Sequence, residues 1–422
     1  MSEILATISS SLPAEASSYL LGVFIILLLV VLLYHTQLTS GYYAVIALMI
    51  WFPIENLVLK YTPPELYPIV KYTPEILLYA LAAVGMARYL KKTGRLIPEN
   101  PLTRPIIIFL AIAGVSLVLN WYSPVTWLLG ARQILRFSAV YFFLLTVNFP
   151  KEQLQGLVRV LFLVAGAEAG LGIFQYLLGG RLDAYLFSTQ AVTVANRAIL
   201  GGGEQFWIPG ARAFANMGRY DQLASFLALA IILLISYLYM TQSPRVRFWL
   251  HAGLGVMAIA LLLTFSRTSW IGVTLGLLWI GVKIIHDPRV MRWSVVLFGG
   301  LALYIASFFL TADNAGKFSN TGTDRLGERL VEVASPQAWR DSYEGYGRFF
   351  FLVNTPRLVV ASAPLFGVGL GNFGGGVAAA LSNTRTYDRL KIPFGIEGNY
   401  GQIDNSWFAI WGETGTLGLI AW

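Results

Sequence analysis

Stretches of roughly 17 to 25 apolar residues, the length a helix needs to cross the hydrocarbon core of a bilayer, recur along most of this chain. Few folds accept that pattern. Inside lipid every backbone amide must find its partner within the protein, which leaves helices or a closed barrel. A barrel would show short segments of alternating apolar and polar side chains, whereas these runs are continuous. Composition agrees: 56% of the 422 residues are hydrophobic, 12% are charged and the mean hydropathy is +0.63, outside the range of soluble domains. The sequence therefore predicts an all-α integral membrane protein, read as a single polytopic membrane domain over 1–422.

Spans are expected near 18–35, 41–60, 74–91, 104–120, 131–148, 156–178, 219–240, 249–265, 267–285, 294–311 and 404–422, about 11 helices in all. Glu3 and Glu15 precede the first apolar run and no basic segment does, which argues against a cleavable signal peptide. No polar residue follows Thr416 before the chain stops at Trp422, inside the last span, so 12 or more helices and a truncated C-terminus are expected for the full protein. Arg88, Lys91, Lys92, Arg95 and Arg104 crowd one short connection, Arg245 and Arg247 a second, and Lys283, Arg289 and Arg292 a third. All three fall on one face, which the basic bias of inner loops makes cytoplasmic. The connections 179–218 and 312–403 then lie outside. The net charge of +8 has three readings: headgroup contact, an anionic substrate, or this bias alone.

The 312–403 loop turns sharply towards Asp, Arg, Gly, Asn and Tyr, and loops of such length commonly carry function. An amphipathic helix is expected near 346–362, ended by Pro364 and a glycine cluster. Gly367, Gly369 and Gly371 follow that helix rather than a strand, so they do not read as a dinucleotide loop.

With no cysteine in the chain, disulfides, thiolate metal sites and cysteine nucleophiles are excluded. Arginine is the residue type that grips a phosphate bidentately and never loses its charge. On the outer connections Arg212 and Arg219 precede a helix, Arg267 stands between two apolar runs, and Arg348 opens the amphipathic helix. Arg267 marks an outer turn or sits at membrane depth, where an arginine costs about 2.5–3.5 kcal/mol; an interfacial anchor is the plainer alternative. Arg325, Arg329, Arg340, Arg357, Arg385 and Arg389 read as solvated loop charges that composition does not rank. Asp404 precedes an apolar run and so reads as a helix cap, as a group that orients or deprotonates a hydroxyl, or as both. Glu413 and Glu168 lie inside predicted spans. Glu413 pairs with an arginine or serves structure, and Glu168, flanked by small residues, reads as a packing polar group before a substrate contact. Trp407, Trp411 and Trp422 read as interfacial aromatics, Trp407 also as a platform for a sugar.

The run Ala363-Pro364-Leu365-Phe366-Gly367-Val368-Gly369-Leu370-Gly371-Asn372-Phe373, then Asp404-Asn405-Ser406-Trp407 leading into Gly412-Glu413-Thr414-Gly415, resembles the O-antigen polymerase and ligase superfamily. Arg212 with Asn216, Ser266-Arg267 and Gly347-Arg348 precede these in the family's order, so the resemblance covers roughly 200–422. It implies an inverting, metal-independent, cofactor-free glycosyl transfer from an undecaprenyl diphosphate-linked oligosaccharide on the periplasmic face of the bacterial inner membrane. Catalytic roles would fall to Asp404, Arg267 and Arg348, and substrate binding to Arg212, Arg219, Asn216, Asn405, Glu413 and Trp407. The chain holds no Asp-x-Asp pair of the kind that binds a divalent ion for nucleotide sugars. Ligases of the family usually carry a histidine where this chain has Asp404, and His35, His251 and His286 fall on the predicted cytoplasmic side. That departure favours a polymerase, with a ligase acting on lipid A core or another acceptor as the alternative. A transporter or flippase for lipid-linked sugar belongs to a different class; the inverted repeats and broken helices typical of transporters are not visible in the sequence. The expected partners are the lipid-linked oligosaccharide, a glycan or lipid acceptor, the bilayer and a chain-length regulator; nucleic acid is not among them.

Overall fold

The computed structural model describes residues 41–63, 66–147, 149–186, 192–194, 197–200, 209–286, 348–373, 383–391 and 406–422, with isolated positions between 288 and 344, at 377–378 and at 381. In chain order the helices are α1 (Tyr42–Tyr61), α2 (Tyr67–Thr93), α3 (Thr103–Leu119), α4 (Pro124–Thr146), α5 (Lys151–Leu177) and the single turn α6 (Asp183–Leu186). They continue with α7 (Tyr220–Met240), α8 (Pro244–Leu263), α9 (Arg267–Trp279), α10 (Arg348–Ser362), α11 (Arg385–Leu390) and α12 (Ser406–Ala421). A two-stranded antiparallel hairpin, β1 (Val192–Val194) with β2 (Arg197–Leu200), lies in the 179–218 connection. Six described helices, α1, α2, α4, α5, α7 and α8, are long and apolar enough to cross a membrane, and α3 is a shorter apolar helix. The expected spans 18–35 and 294–311 fall wholly or mostly outside the described residues.

Local signals explain several boundaries. Ser123 caps α4 by accepting the Thr126 N–H at 3.1 Å, with Pro124 at the first helical position, where its missing N–H costs nothing. That cap starts α4 seven residues earlier than the hydropathy of 131–148 predicts. α2 likewise begins at Tyr67 rather than near 74 and runs through Pro74. The shifts leave Glu75 and Arg132, near the ends of the expected spans, more than two turns inside the observed helices.

Two compact units divide the chain: Met1–Ala44, Pro68–Pro150 and Ser342–Trp422 form the first, and Val45–Tyr67 with Lys151–Asp341 the second. In the second, α7 packs on α5, α8 and α9, and α5 packs on α8. Its core contains Ala165, Ala169, Leu223, Leu227, Leu234, Met257 and Ala260, all buried. Small residues let these backbones approach closely, which is how helices associate when lipid is as apolar as their side chains. In the first unit α12 packs against α3 and α10, around a core of Phe109, Ala113, Leu117, Ile134 and Leu370.

Candidate functional site

Within the second unit, α5 carries two buried polar side chains, Glu168 and Gln175, two helical turns apart and so on one face. Each holds the loop that precedes α7. The Glu168 carboxylate accepts the Asn216 backbone N–H at 3.1 Å and its Nδ2 at 2.9 Å. Gln175 Oε1 accepts the N–H groups of Phe214 and Ala215 at 3.0 and 2.8 Å, while its Nε2 donates to Asp183 Oδ1 at 2.8 Å. Asp183 Oδ2 in turn accepts the Gly210 N–H at 3.0 Å. From α1, Asn56 Nδ2 donates to the Met217 carbonyl. A short 3-10 turn at Ala215–Met217 cannot satisfy its own amides, so buried side chains from neighbouring helices do it instead. Glu168 thus acts in packing and loop support.

The same loop is tied to the α8–α9 turn, where the Ala213 N–H donates to the Leu263 carbonyl at 2.9 Å. Arg212, Asn216, Arg219 and Arg267 are therefore carried by two segments joined at one end of this unit. The Arg212 guanidinium lies 4.1 Å from the centroid of the Tyr220 ring. Arg219 makes two hydrogen bonds of 3.0 Å to the Asp221 carboxylate, a bidentate pair that occupies one edge of its fork. Asn216 Oδ1 is buried and accepts no hydrogen bond among the described residues. Arg267 is the first residue of α9, after a sharp turn in which Phe265 takes φ +52°. Ser266 Oγ and Ser269 Oγ are 3.1 Å apart in that first turn.

The first unit holds the glycine-rich segment, and here the structure departs from the sequence reading. The sequence shows no broken helix; α12 is broken at Gly415, whose φ of 72° and ψ of −174° interrupt the helix. Gly412 and Glu413 carbonyls left over by the break accept the N–H groups of Val368 at 2.9 Å and Gly369 at 3.1 Å. Beyond the break, Thr416 and Leu417 donate to the carbonyls of Pro364 and Leu365 at 3.0 and 3.3 Å. Residues 364–369 thus complete the hydrogen bonding of α12 on both sides of its gap. Gly367, Gly369 and Gly371 all have positive φ, and a Cβ on Gly367 would stand 2.5 Å from the backbone of Glu413.

Glu413, 3% exposed, is part of this clamp. Its Oε1 accepts the Gly371 N–H at 3.1 Å and the carboxylate also takes the Phe373 N–H. Its partners are backbone amides rather than an arginine. Arg348 opens α10, as the sequence predicts, and Trp407 lies exposed in the first turn of α12. Asp404 and Asn405 lie outside the described residues.

Sequence reasoning missed one cluster. Glu75 on α2 pairs with two arginines of α4: Arg132 Nη2 donates to Oε1 at 3.0 Å and Arg136 Nη1 stands 3.7 Å from it. Arg132 also lies 4.9 Å from the centroid of Tyr72. The charges were legible, but spans drawn from 74 and 131 leave Glu75 and Arg132 at helix ends. The observed starts at Tyr67 and Pro124 put all three residues two or more turns inside, where ionisable groups are costly and pair.

Residues 252–422, from α8 to the end of the chain, match the family model described as O-antigen ligase. This segment of the chain is similar to the O-antigen ligase family. That similarity agrees with the superfamily resemblance carried by the sequence motifs, in a chain with six described helices long and apolar enough to cross a membrane. The matched segment is less than half of the chain; it includes Arg267, Arg348, the glycine-rich segment, Trp407 and Glu413. Arg212, Asn216 and Arg219 precede it, so the extension of the resemblance back to about 200 rests on their own motif. No curated protein and no solved structure matches the chain.

Proposed function

We propose that the chain is a glycan polymerase, which transfers a growing oligosaccharide from an undecaprenyl diphosphate donor to the next lipid-linked repeat unit. The reaction runs on the periplasmic face of the inner membrane, inverts the anomeric carbon and needs no metal. The observation that favours polymerase over ligase is the position of the histidines. His251 lies in the second turn of α8 and His286 follows the π-helical end of α9, Ile280–Ile285. Arg267 begins α9 and the Arg212 loop binds the end of α8, on the order of 20 Å away along those helices. Among the described residues no imidazole stands at the arginine end, and we assign the acceptor to Asp404 from its place in the motif.

In this reading Arg267 and Arg212 grip the diphosphate oxygens and stabilise the charge that builds as the lipid diphosphate departs. The acceptor hydroxyl attacks the anomeric carbon opposite the leaving group, the bond from that carbon to the phosphate oxygen breaks, and the hydroxyl proton passes towards Asp404. Arg348 is assigned a catalytic role from its place in the family's motif order. The buried Oδ1 of Asn216 offers an acceptor for a donor-sugar hydroxyl, and Arg219, held by Asp221, positions the loop beside it. Asn405, Trp407 and Glu413 serve the glycan side, Glu413 by fixing the glycine-rich segment.

The test is to incubate the purified full-length protein with one undecaprenyl diphosphate oligosaccharide and no other acceptor, and to resolve products by size. A ladder supports the polymerase. Single transfer seen only after lipid A core is added means a ligase, and movement of the glycolipid across a vesicle without any product means a transporter.

A further inference from the structure

Beside the glycine-rich segment, in the first unit, a cavity of about 120 Å³ opens at the C-terminal end of α3, lined by Asn120, Trp121, Asn372, Arg385, Thr386 and Arg389 among others. It is far below the 300–1,000 Å³ or so of a site that engulfs a small molecule, and suits one charged group with its waters. Among the described residues no acidic side chain lines it. Arg385 and Arg389 stand one turn apart on α11 and so share a face. Neither forms an ion pair with a carboxylate among the described residues; Arg385 instead lies 5.0 Å from the centroid of the Tyr122 ring. The nearest acid in sequence, Asp388, accepts the Thr384 hydroxyl at 2.7 Å.

The amide side chains in the wall are already committed to the framework. Asn120 Nδ2 donates to the carbonyls of Ser116 and Gly367 at 2.9 and 3.1 Å. Asn372 Nδ2 donates to the Val368 carbonyl at 3.0 Å, and its Oδ1 accepts Asn383 Nδ2 at 2.8 Å. Two guanidinium groups are thus the charged donors left facing a fixed polar wall. At the mouth, Trp121 is 54% exposed and its ring lies 5.9 Å from that of Trp127. Flat exposed aromatics beside cationic donors offer a sugar ring a stacking face and its acidic substituent a counter-charge.

We propose that Arg385 and Arg389 form a subsite for an oxyanion carried by the glycan substrate, a sugar carboxylate or a sugar-linked phosphate. The proposal rests on the reading of the chain as a glycan transferase and names a chemical class for what that transferase holds in its first unit. Fork-shaped guanidinium groups suit both oxyanions, and the cavity has room for one of them.

The test is direct binding to the full-length protein in an uncharged, sugar-free detergent, titrated with glucuronic acid, inorganic pyrophosphate and glucose. Glucuronic acid or pyrophosphate should bind and glucose should not. Because hydrogen bonds to charged groups are stronger than those to neutral ones, the double substitution R385Q/R389Q should weaken that binding at least tenfold, with the thermal midpoint unchanged. Tighter glucuronate identifies an acidic sugar, and tighter pyrophosphate a phosphate; either supports the subsite. Equal binding in the double variant overturns it, as does glucose binding as tightly as glucuronate. Binding of phosphatidylglycerol micelles that needs both arginines while the soluble oxyanions fail to bind assigns the pair to lipid headgroups and overturns it too. Should the double variant unfold, Arg385→Lys and Arg389→Lys each keep the charge and lose the fork, and each should weaken binding severalfold. Arg267→Ala should leave glucuronate binding intact and is the background in which pyrophosphate is titrated, since Arg267 itself is assigned to a diphosphate; a parent chain that makes no glycan yet binds glucuronate through Arg385 and Arg389 refutes the polymerase and not the subsite.

Discussion

Gly412 sits in α12 against Phe373, and a Cβ added there would fall 1.7 Å from Phe373 Cδ1. Gly412→Ala should therefore abolish recovery of monodisperse protein. Gly166→Ala is the matched control: its Cβ meets nothing within 4 Å in the middle of α5, so it should stabilise by about 0.5–1 kcal/mol. Size-exclusion profiles and thermal midpoints separate the two. Glu413 poses a finer question, because its carboxylate serves Gly371 and Phe373. Glu413→Gln keeps an acceptor in place and should preserve the fold, whereas Glu413→Ala strands two buried N–H groups at about 1–3 kcal/mol each. If Glu413→Gln unfolds normally but loses turnover, the side chain touches substrate as well as the loop. At this scale the sequence singled out polar residues that the fold ties into hydrogen bonds, but not the partners they bind. It marked Glu168, Asn216 and Glu413, yet nothing in one dimension shows that Glu168 holds Asn216 across 48 residues, because that pairing depends on how α5 packs.

Among helices, the charge balance between α2 and α4 makes a signed prediction. Two arginines face one glutamate, so removing a cation and removing the anion are unequal operations. Glu75→Gln leaves Arg132 and Arg136 uncompensated within the span and should cost about 3–5 kcal/mol; Arg136→Gln leaves the balanced Glu75–Arg132 pair and should cost much less. Thermal unfolding in detergent measures both, and equal losses would refute the pairing as a stabilising feature. Most elements were readable from hydropathy: α7 begins within a residue of its expected start, and α10 spans 348–362 against an expected 346–362. The errors have a common physical source. Hydropathy finds the apolar centre of a helix, while Ser123 capping α4 and Tyr67 opening α2 are settled by backbone hydrogen bonds that hydropathy does not weigh. The break at Gly415 escaped for the opposite reason, since its flanks are apolar on both sides and only the docking of 364–369 makes an interruption tolerable.

For the molecule as a whole, the family domain and the folded units do not coincide. The matched segment begins in α8, whose buried Met257, Ala260 and Leu261 share a core with Ala165 and Ala169 of α5 and Leu223 and Leu227 of α7. Residues 252–422 expressed alone should therefore give no protease-resistant membrane protein, although they carry the family's motif. Loss of activity should be separable from loss of fold in the intact chain: Arg267→Ala and Arg348→Ala should each abolish the product ladder while leaving yield and thermal midpoint near those of the parent, and near-normal turnover in both would sink their catalytic assignment. The interrupted α12 also bears on how the protein enters the membrane. A segment whose own hydrogen bonds stop at Gly415 and whose Glu413 has no water to turn to is poorly accepted by lipid. Its missing partners, residues 364–369, lie some 50 residues earlier in the chain. The last described helix is thus a late guest in the bilayer, admitted by protein surface assembled before it rather than by its own hydrophobicity.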